Sequence, residues 1–241
     1  MKIGLFGYGK MGKIIEKTAI QKGHVIVWKI DKSNKTSVIN SAEFKTVDVV
    51  IEFTQPEFAE EHIQLCLKNE LPVVCGTTGW YKNLDKIKLS VKAHDGTFFY
   101  ASNFSLGVNI FFALNKYLAK IMDKHPDYRV KIQEIHHTQK LDAPSGTAIT
   151  TAEQIIANHH GLKQWDLGID YKPNTIPIEA LRIENVPGTH TVKYESGIDE
   201  ISINHTAKNR IGFALGAVMA AEWVQGKKGV YTMDDMLDFK V

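Results

Sequence analysis

The chain has 241 residues, 44% of them hydrophobic and 23% charged, which suits one large or two modest soluble domains with a proper core. Its formal net charge is +2 with the lysines spread along the chain, so it carries no basic arm for nucleic acid. No apolar run approaches the ~20 residues of a membrane span, no signal-peptide pattern opens the chain, and Cys66 and Cys75 match neither a redox nor a zinc spacing. The class these features leave is a reduced, cytoplasmic enzyme with no nucleic-acid or membrane partner.

Lys2 to Phe6 reads as a short buried strand, followed at once by Gly7-Tyr8-Gly9-Lys10-Met11-Gly12 and a helical pattern that ends at Gly23. A second strand, His24 to Ile30, stops at Asp31. This is a dinucleotide fingerprint in the context it requires. The glycines permit a tight turn and close approach of the pyrophosphate, the helix start receives its charge, and an acid about 20 residues on accepts ribose hydroxyls. Asp31 favours NADH by repelling a 2′-phosphate, whereas Lys32 can neutralise one, so the expected cofactor is NADH and/or NADPH.

Residues 33–46 are polar and short, and the third βα step is expected to be abbreviated or a loop. Strands over Val47–Phe53 and Leu71–Cys75 follow, with a helix over Glu57–Asn69 between them. Ligands in open parallel sheets bind beyond the carboxyl ends of the strands, so Phe53-Thr54 and Gly76-Thr77-Thr78 are candidate cofactor loops. A helix over Asp85–Ala93 and a strand over Thr97–Ala101 lead into Ala101-Ser102-Asn103-Phe104, where the chain is expected to cross into a second domain through a long helix, Ile110 to Met122.

The character then changes. Strand patterns over Val130–Ile135, Ala180–Ile183, His190–Glu195 and Glu200–Asn204 succeed one another, which argues for a mixed or antiparallel sheet. Gly161 to Pro177 reads as a loop. The sheet has one predicted helix to cover it, so its open face is a candidate subunit contact. A last helix, from Arg210 to about Val224, is expected to return to the first domain. The expected fold is thus α/β: a Rossmann-type parallel sheet formed by 1–103 plus 210–241, and a second α+β domain on a mixed sheet, 104–209.

The densest chemistry lies in Glu134-Ile135-His136-His137-Thr138-Gln139-Lys140-Leu141-Asp142-Ala143-Pro144-Ser145-Gly146-Thr147-Ala148. It joins the end of a strand to the start of a helix, with Asp142 or Ser145 as cap and Pro144 suited to the first turn. Such a helix start, at Gly146 and Thr147, attracts carboxylates, and Lys140 adds a full positive charge. A histidine can give or take a proton near neutral pH. Adjacent histidines on a continuing strand point to opposite faces, so His136 and His137 share a site only if the strand ends between or beside them. His159-His160, before Gly161, reads as surface decoration. Neither a helical His-x-x-x-His spacing nor a cysteine cluster supports a metal.

This motif resembles that of the dihydrodipicolinate reductases, also called 4-hydroxy-tetrahydrodipicolinate reductases. The resemblance extends to Gly76-Thr77-Thr78-Gly79, Ala101-Ser102-Asn103-Phe104-Ser105, Pro187-Gly188-Thr189-His190-Thr191 and His205-Thr206-Ala207. It implies that Gly7, Tyr8, Gly9, Lys10, Met11 and Gly12 hold the pyrophosphate and Asp31 the ribose. Gly76, Thr77, Thr78, Ala101, Ser102, Asn103 and Phe104 are then expected to line the nicotinamide side. By the same resemblance His136 is the proton donor, Lys140 the second catalytic cation, and His137, Gly146 and Thr147 contact a small dicarboxylate. The implied reaction is NAD(P)H-dependent reduction of 4-hydroxy-tetrahydrodipicolinate with loss of water, in a homotetramer. The chain departs from the family pattern in its shorter fingerprint and in Arg182-Ile183-Glu184, where many members have Arg-x-Gly. Two other readings fit the fingerprint alone: another NAD(P)-dependent dehydrogenase of similar two-domain architecture, which leaves Ser145-Gly146-Thr147 unexplained, and a non-catalytic dinucleotide sensor.

Overall fold

The structure, a computed structural model, describes residues 1–31 and 33–239; Lys32, which bears on cofactor choice, lies outside the described residues. The chain divides into two compact units, Met1–Leu106 with Arg210–Phe239, and Gly107–Asn209.

The first unit opens with β1 (Lys2–Phe6), α1 (Lys10–Gln21), β2 (Val25–Ile30), α2 (Lys35–Ile39), β3 (Val49–Glu52), α3 (Pro56–Lys68), β4 (Val73–Cys75), α4 (Leu84–Ala93) and β5 (Thr97–Tyr100). Among the described residues these strands pair in parallel in the order β5-β4-β3-β1-β2. Every residue of β3 is buried, as expected of a parallel strand covered on both faces. One face packs Leu5, Val49 and Val74 with Ile15 and Ala19 of α1; the other packs Phe6, Val50 and Val73 with Ile63 and Leu67 of α3. The chain reverses direction across the sheet at β1 and β3, the switch point where such folds open a ligand crevice. The expected loop at 33–46 contains α2 and a 3-10 turn over Ala42–Thr46. Its anchor is Phe44, buried and stacked on Trp28 at 5.2 Å, with Val38 and Ile39 partly buried against the same core, too few apolar residues to give a sequence period.

The second unit is built from α5 (Leu106–Met122), β6 (Arg129–His136), α6 (Gly146–Ala157), β7 (Gln164–Leu167), β8 (Thr175–Arg182), β9 (Gly188–Glu195) and β10 (Glu200–Ala207). The sheet order is β10-β9-β6-β8-β7, with β8 parallel to both neighbours and β9 antiparallel to both of its own, so the sheet is mixed. The expected loop at 161–177 is corrected: it holds β7 and the first residues of β8. Pro177 hid the strand, because proline is rare inside a sheet, yet here it is buried between β6 and β7 in register with Asp166. The single covering helix is also corrected to two. Val108, Phe111 and Phe112 of α5 and Ala148, Ala152 and Ile155 of α6 share one core with Val130, Ile132, Ile178 and Val192 of the sheet.

The chain then re-enters the first unit as α7 (Ile211–Trp223), β11 (Gly229–Tyr231) and α8 (Met233–Leu237). The α7 helix packs small residues, Ala214, Gly216, Ala217, Ala220 and Ala221, against the sheet. At Gly216 a Cβ would stand 1.7 Å from the Phe104 carbonyl oxygen, so only glycine permits that approach. β11 adds a sixth strand beside β5. Among the described residues no helix is long and apolar enough to cross a membrane.

Candidate active site

In the first unit the three fingerprint glycines meet three different demands. Gly7 has φ +94° and faces the Phe53 carbonyl, where a Cβ would lie 2.0 Å from the oxygen. Gly12 packs on Gly7, with a Cβ position 2.1 Å from its carbonyl oxygen. Gly9 caps α1 and has nothing within 4 Å of its Cβ position, which leaves open space at the helix start where a pyrophosphate fits.

Two clefts run along the carboxyl ends of the strands. One, of about 710 Å³, is lined by Gly7, Tyr8, Gly9, Asp31, Phe53 and Thr54, together with Lys35, Phe58 and His62, which the sequence reading missed. The other, of about 380 Å³, brings Gly9, Lys10 and Met11 to Gly76, Thr77 and Thr78. Asp31 is exposed at the end of β2; one carboxylate oxygen accepts from the Ser33 N–H at 2.8 Å and its hydroxyl at 2.6 Å. Those two bonds hold the Asp31 carboxyl below its ordinary range. It therefore presents a formed carboxylate to the larger cleft.

Ala101, Ser102, Asn103 and Phe104 line neither cleft. Asn103 accepts from the Ser105 N–H at 2.9 Å, and Phe104 is a core residue between Phe53 and Phe99. Beneath the clefts lies a buried acid, Glu52, which accepts from the Thr54 hydroxyl and from Cys75 Sγ at 3.0 Å. Burial pushes the Cys75 and Cys66 thiols well up, so both stay protonated and inert.

In the second unit the alternation of β6 places Val130, Ile132, Glu134 and His136 on the buried face. The strand ends at His136, and His137 follows it, half-buried, with a buried Nδ1 that has no hydrogen-bond partner among the described residues. Ser145 is the cap of α6: its hydroxyl accepts from the Ala148 N–H at 3.2 Å. Pro144 therefore precedes the cap instead of occupying the first turn, and Asp142 does not cap. Asp142 instead binds Lys140 Nζ through both oxygens, at 2.9 and 2.7 Å. No Cβ contact exists at Gly146, so the approach to the α6 N-terminus there is open.

Behind these groups is a polar cluster. Glu134 Oε2 lies 3.1 Å from His136 Nδ1 and 3.8 Å from His190 Nε2, and Glu134 Oε1 accepts from the Ser145 N–H at 3.0 Å and from Arg182 Nη2 at 3.3 Å. His190 Nε2 is also 3.1 Å from the Ser145 hydroxyl. Burial alone would raise the Glu134 carboxyl, but the close His136 imidazole and the bond from the Ser145 N–H outweigh it and hold it down at about 2. Burial, then the facing His136, pushes His190 down to about 3, so it is neutral. Glu134, His136 and His190 also offer three donor atoms within 4.8 Å of one another, the composition of a metal site, and Glu134 Oε2 and His136 Nδ1 make no hydrogen bond among the described residues. Sequence alone leaves Glu134 between orienting an imidazole and merely finishing the strand, and gives His190 no role. Their signal was the buried-face alternation of two strands that turn out to be adjacent in register, Glu134 opposite His190.

Comparison with known proteins agrees over the whole chain. The family models described as dihydrodipicolinate reductase N-terminus and C-terminus match residues 1–104 and 107–237. A 4-hydroxy-tetrahydrodipicolinate reductase from Christiangramia forsetii is 52% identical over 237 residues, 98% of each chain. One from Neisseria meningitidis serogroup A is 36% identical over 84% of this chain and 78% of its own. Among solved structures, the dipicolinate-bound dihydrodipicolinate reductase from Paenisporosarcina sp. TG-14 aligns over 98% of both chains with a TM-score of 0.76 and 25% identity. A probable dehydrogenase from Thermotoga maritima, 11% identical with a TM-score of 0.57 and covering 99% of this chain and 93% of its own, shares the fold alone. Fingerprint, mixed sheet and histidine motif thus coincide with full-length sequence matches, and the chain belongs to the dihydrodipicolinate reductase family.

Proposed function

We propose that the first unit binds NADH or NADPH and the second binds the dicarboxylate substrate, for the reduction of 4-hydroxy-tetrahydrodipicolinate to tetrahydrodipicolinate with loss of water. The step belongs to lysine biosynthesis by the diaminopimelate route. The observation that carries the reading is the conjunction, within one bend, of His136, Lys140 and the start of α6, backed by the formed carboxylate of Glu134.

The open face of Gly9 at the start of α1 fits a pyrophosphate, and Asp31 fits the adenosine ribose. When bound, the reduced nicotinamide supplies a hydride. Gly7, Tyr8, Lys10, Met11 and Gly12 form the rest of the phosphate turn, and Gly76, Thr77 and Thr78, with the backbone of Ala101, Ser102, Asn103 and Phe104, bound the nicotinamide side. In the second unit Lys140 and the N-terminal end of α6, at Gly146 and Thr147, hold the substrate carboxylates, with His137 as a further contact. Loss of water leaves a conjugated ring that accepts hydride at C4. The enamine that results takes a proton from His136.

The exposed stripe Ile110, Leu114, Tyr117 and Ile121 along α5 supports self-association, proposed here as a homotetramer, since monomers rarely leave such a row in water. The outer face of the mixed sheet is polar, with Asn204 donating to Thr191 at 2.7 Å and Thr189 to Thr206 at 3.2 Å, so a contact there would be hydrogen-bonded. The cytoplasm, which supplies reduced nicotinamide and keeps Cys66 and Cys75 as thiols, suits this chemistry.

The test is consumption of NADH and NADPH with freshly generated substrate, comparing wild type with His136→Ala and Lys140→Ala. Turnover should fall at least about 100-fold in each, while cofactor affinity stays within about twofold of wild type. Wild-type rates in either variant would remove the assigned roles.

A further inference from the structure

Glu134 is fully buried, and each of its two oxygens faces a different part of the site. Oε2 lies 3.1 Å from Nδ1 of His136, an ion-pair contact in which neither buried atom makes a hydrogen bond of proper geometry to a described residue. Oε1 accepts from the Ser145 N–H at 3.0 Å, at the residue that caps α6. The same oxygen is 3.3 Å from Arg182 Nη2, and Arg182 in turn binds the carbonyls of Asp142 at 2.6 Å and Lys140 at 3.3 Å. The other ring nitrogen of His136, Nε2, faces position 188, where glycine leaves room: a Cβ there would lie 3.0 Å from it.

A buried carboxylate accepts and cannot donate, so the imidazole nitrogen beside it carries the proton. That fixes the neutral ring as the Nδ1–H tautomer and leaves Nε2 as the atom that delivers a proton and is recharged.

We propose that Glu134 is the positioning residue of this site: through one oxygen it sets the tautomer and aim of His136, and through the other it anchors the turn and the Lys140 loop that grip the substrate. The inference rests on the roles given above to His136 and Lys140.

Glu134→Gln separates the two oxygens. A glutamine can keep its carbonyl toward Ser145 and Arg182, preserving the turn, but must then aim its NH₂ at His136 Nδ1. A donor there demands an acceptor, so the neutral ring should switch to the Nε2–H tautomer. The experiment is ¹⁵N NMR of histidine-labelled full-length protein at a pH where its imidazoles are neutral, read beside steady-state kinetics. In wild type His136 should show a protonated Nδ1 and a bare Nε2; in Glu134→Gln the two signals should exchange. The kcat should fall about 100-fold with KM for NADH unchanged, the scale of loss when a carboxylate behind a working imidazole is removed. Ser145→Ala, which leaves the Glu134–His136 pair intact, should keep the wild-type tautomer and lose substrate affinity.

A bare Nδ1 on His136 in the wild-type protein would overturn the proposal without any variant having to fold. So would a Glu134→Gln variant that turns over within about threefold of wild type. Failure of the functional reading looks different: wild type itself would then leave the substrate unreduced, whatever the tautomer.

Discussion

Acidification from pH 7 to 5 should loosen this protein, and most of the loss should trace to one buried imidazole. His190 is 5% exposed, held between the Ser145 hydroxyl and Glu134, and faced by His136, His205 and Lys140. Its folded value is about 3 against 6.5 for a free histidine. Between those values the unfolded chain binds a proton that the folded chain refuses, so stability falls as the pH falls through that window; above about 6.5 the group contributes nothing. From 6.5 to 5 is 1.5 pH units, or about 2 kcal/mol at 1.36 kcal/mol per unit. Glu134 acts lower down. Its carboxyl is held at about 2 against 4.5, which contributes about 3 kcal/mol of stability, intact above pH 4.5 and lost as the pH falls toward 2. The first loss therefore belongs to histidine and the second to glutamate. Urea unfolding at pH 7, 6 and 5 separates them when wild type is compared with His190→Gln, which can keep a contact to Ser145. The wild type should lose about 2 kcal/mol more than the variant between pH 7 and 5, since titrations elsewhere in the fold cancel in the difference. Equal losses would show that His190 is not kept neutral by its surroundings.

Four further outcomes follow from the glycines and the anion grip. Gly9→Ala meets nothing within 4 Å, so it should leave the urea midpoint unchanged yet weaken NADH binding at least about tenfold in a fluorescence titration. Gly216→Ala should do the reverse in kind, costing about 3 kcal/mol or more in urea unfolding, because its Cβ must displace the Phe104 carbonyl in a packed core. Gly188→Ala places a methyl 3.0 Å from His136 Nε2 on a backbone with φ +159°, and should lower both the melting temperature and, in the protein that remains folded, kcat by about tenfold or more. Pyridine-2,6-dicarboxylate at 100 times its Kd should stabilise the NADH-loaded protein by about 2.7 kcal/mol in a melting assay, and Lys140→Ala should abolish most of that gain.

The parallel sheet was legible in sequence because its strands are buried on both faces and read as continuous apolar runs, with Gly7, Gly9 and Gly12 marking the first turn. What escaped was short or disguised. β11 has three residues, and β8 carries Pro177 in its interior. Phe104 belongs to the cofactor-side motif, and the core position of its ring beside Phe53 and Phe99 could not be read from that motif. In the site, His136 could be placed by alternation along β6, whereas its neighbours could not. Glu134 meets Arg182 and His190 only because β8 and β9 flank β6, and no local pattern states that order. The helix cap was narrowed to two residues by sequence, and the choice of Ser145 depends on Asp142 turning to Lys140 instead.

That placement also explains why the site can be both buried and reactive. Along β6 the inward row runs Val130, Ile132, Glu134, His136, so ionisable groups continue the same row that begins as hydrophobic core. The neighbouring strand repeats the change, with Tyr194 and Val192 giving way to His190 and Gly188. The apolar end fixes the register of both strands, because a slip of one residue would turn every one of these side chains outward. The polar end inherits that precision without adding apolar contacts of its own. Its cost is the burial of a carboxylate and two imidazoles, offset by the Ser145 N–H, by Arg182 and by the Ser145 hydroxyl. A core mutation such as Ile132→Ala should therefore reach the chemistry only through loss of folding, whereas changes at Glu134 or Gly188 should reach it in a folded protein.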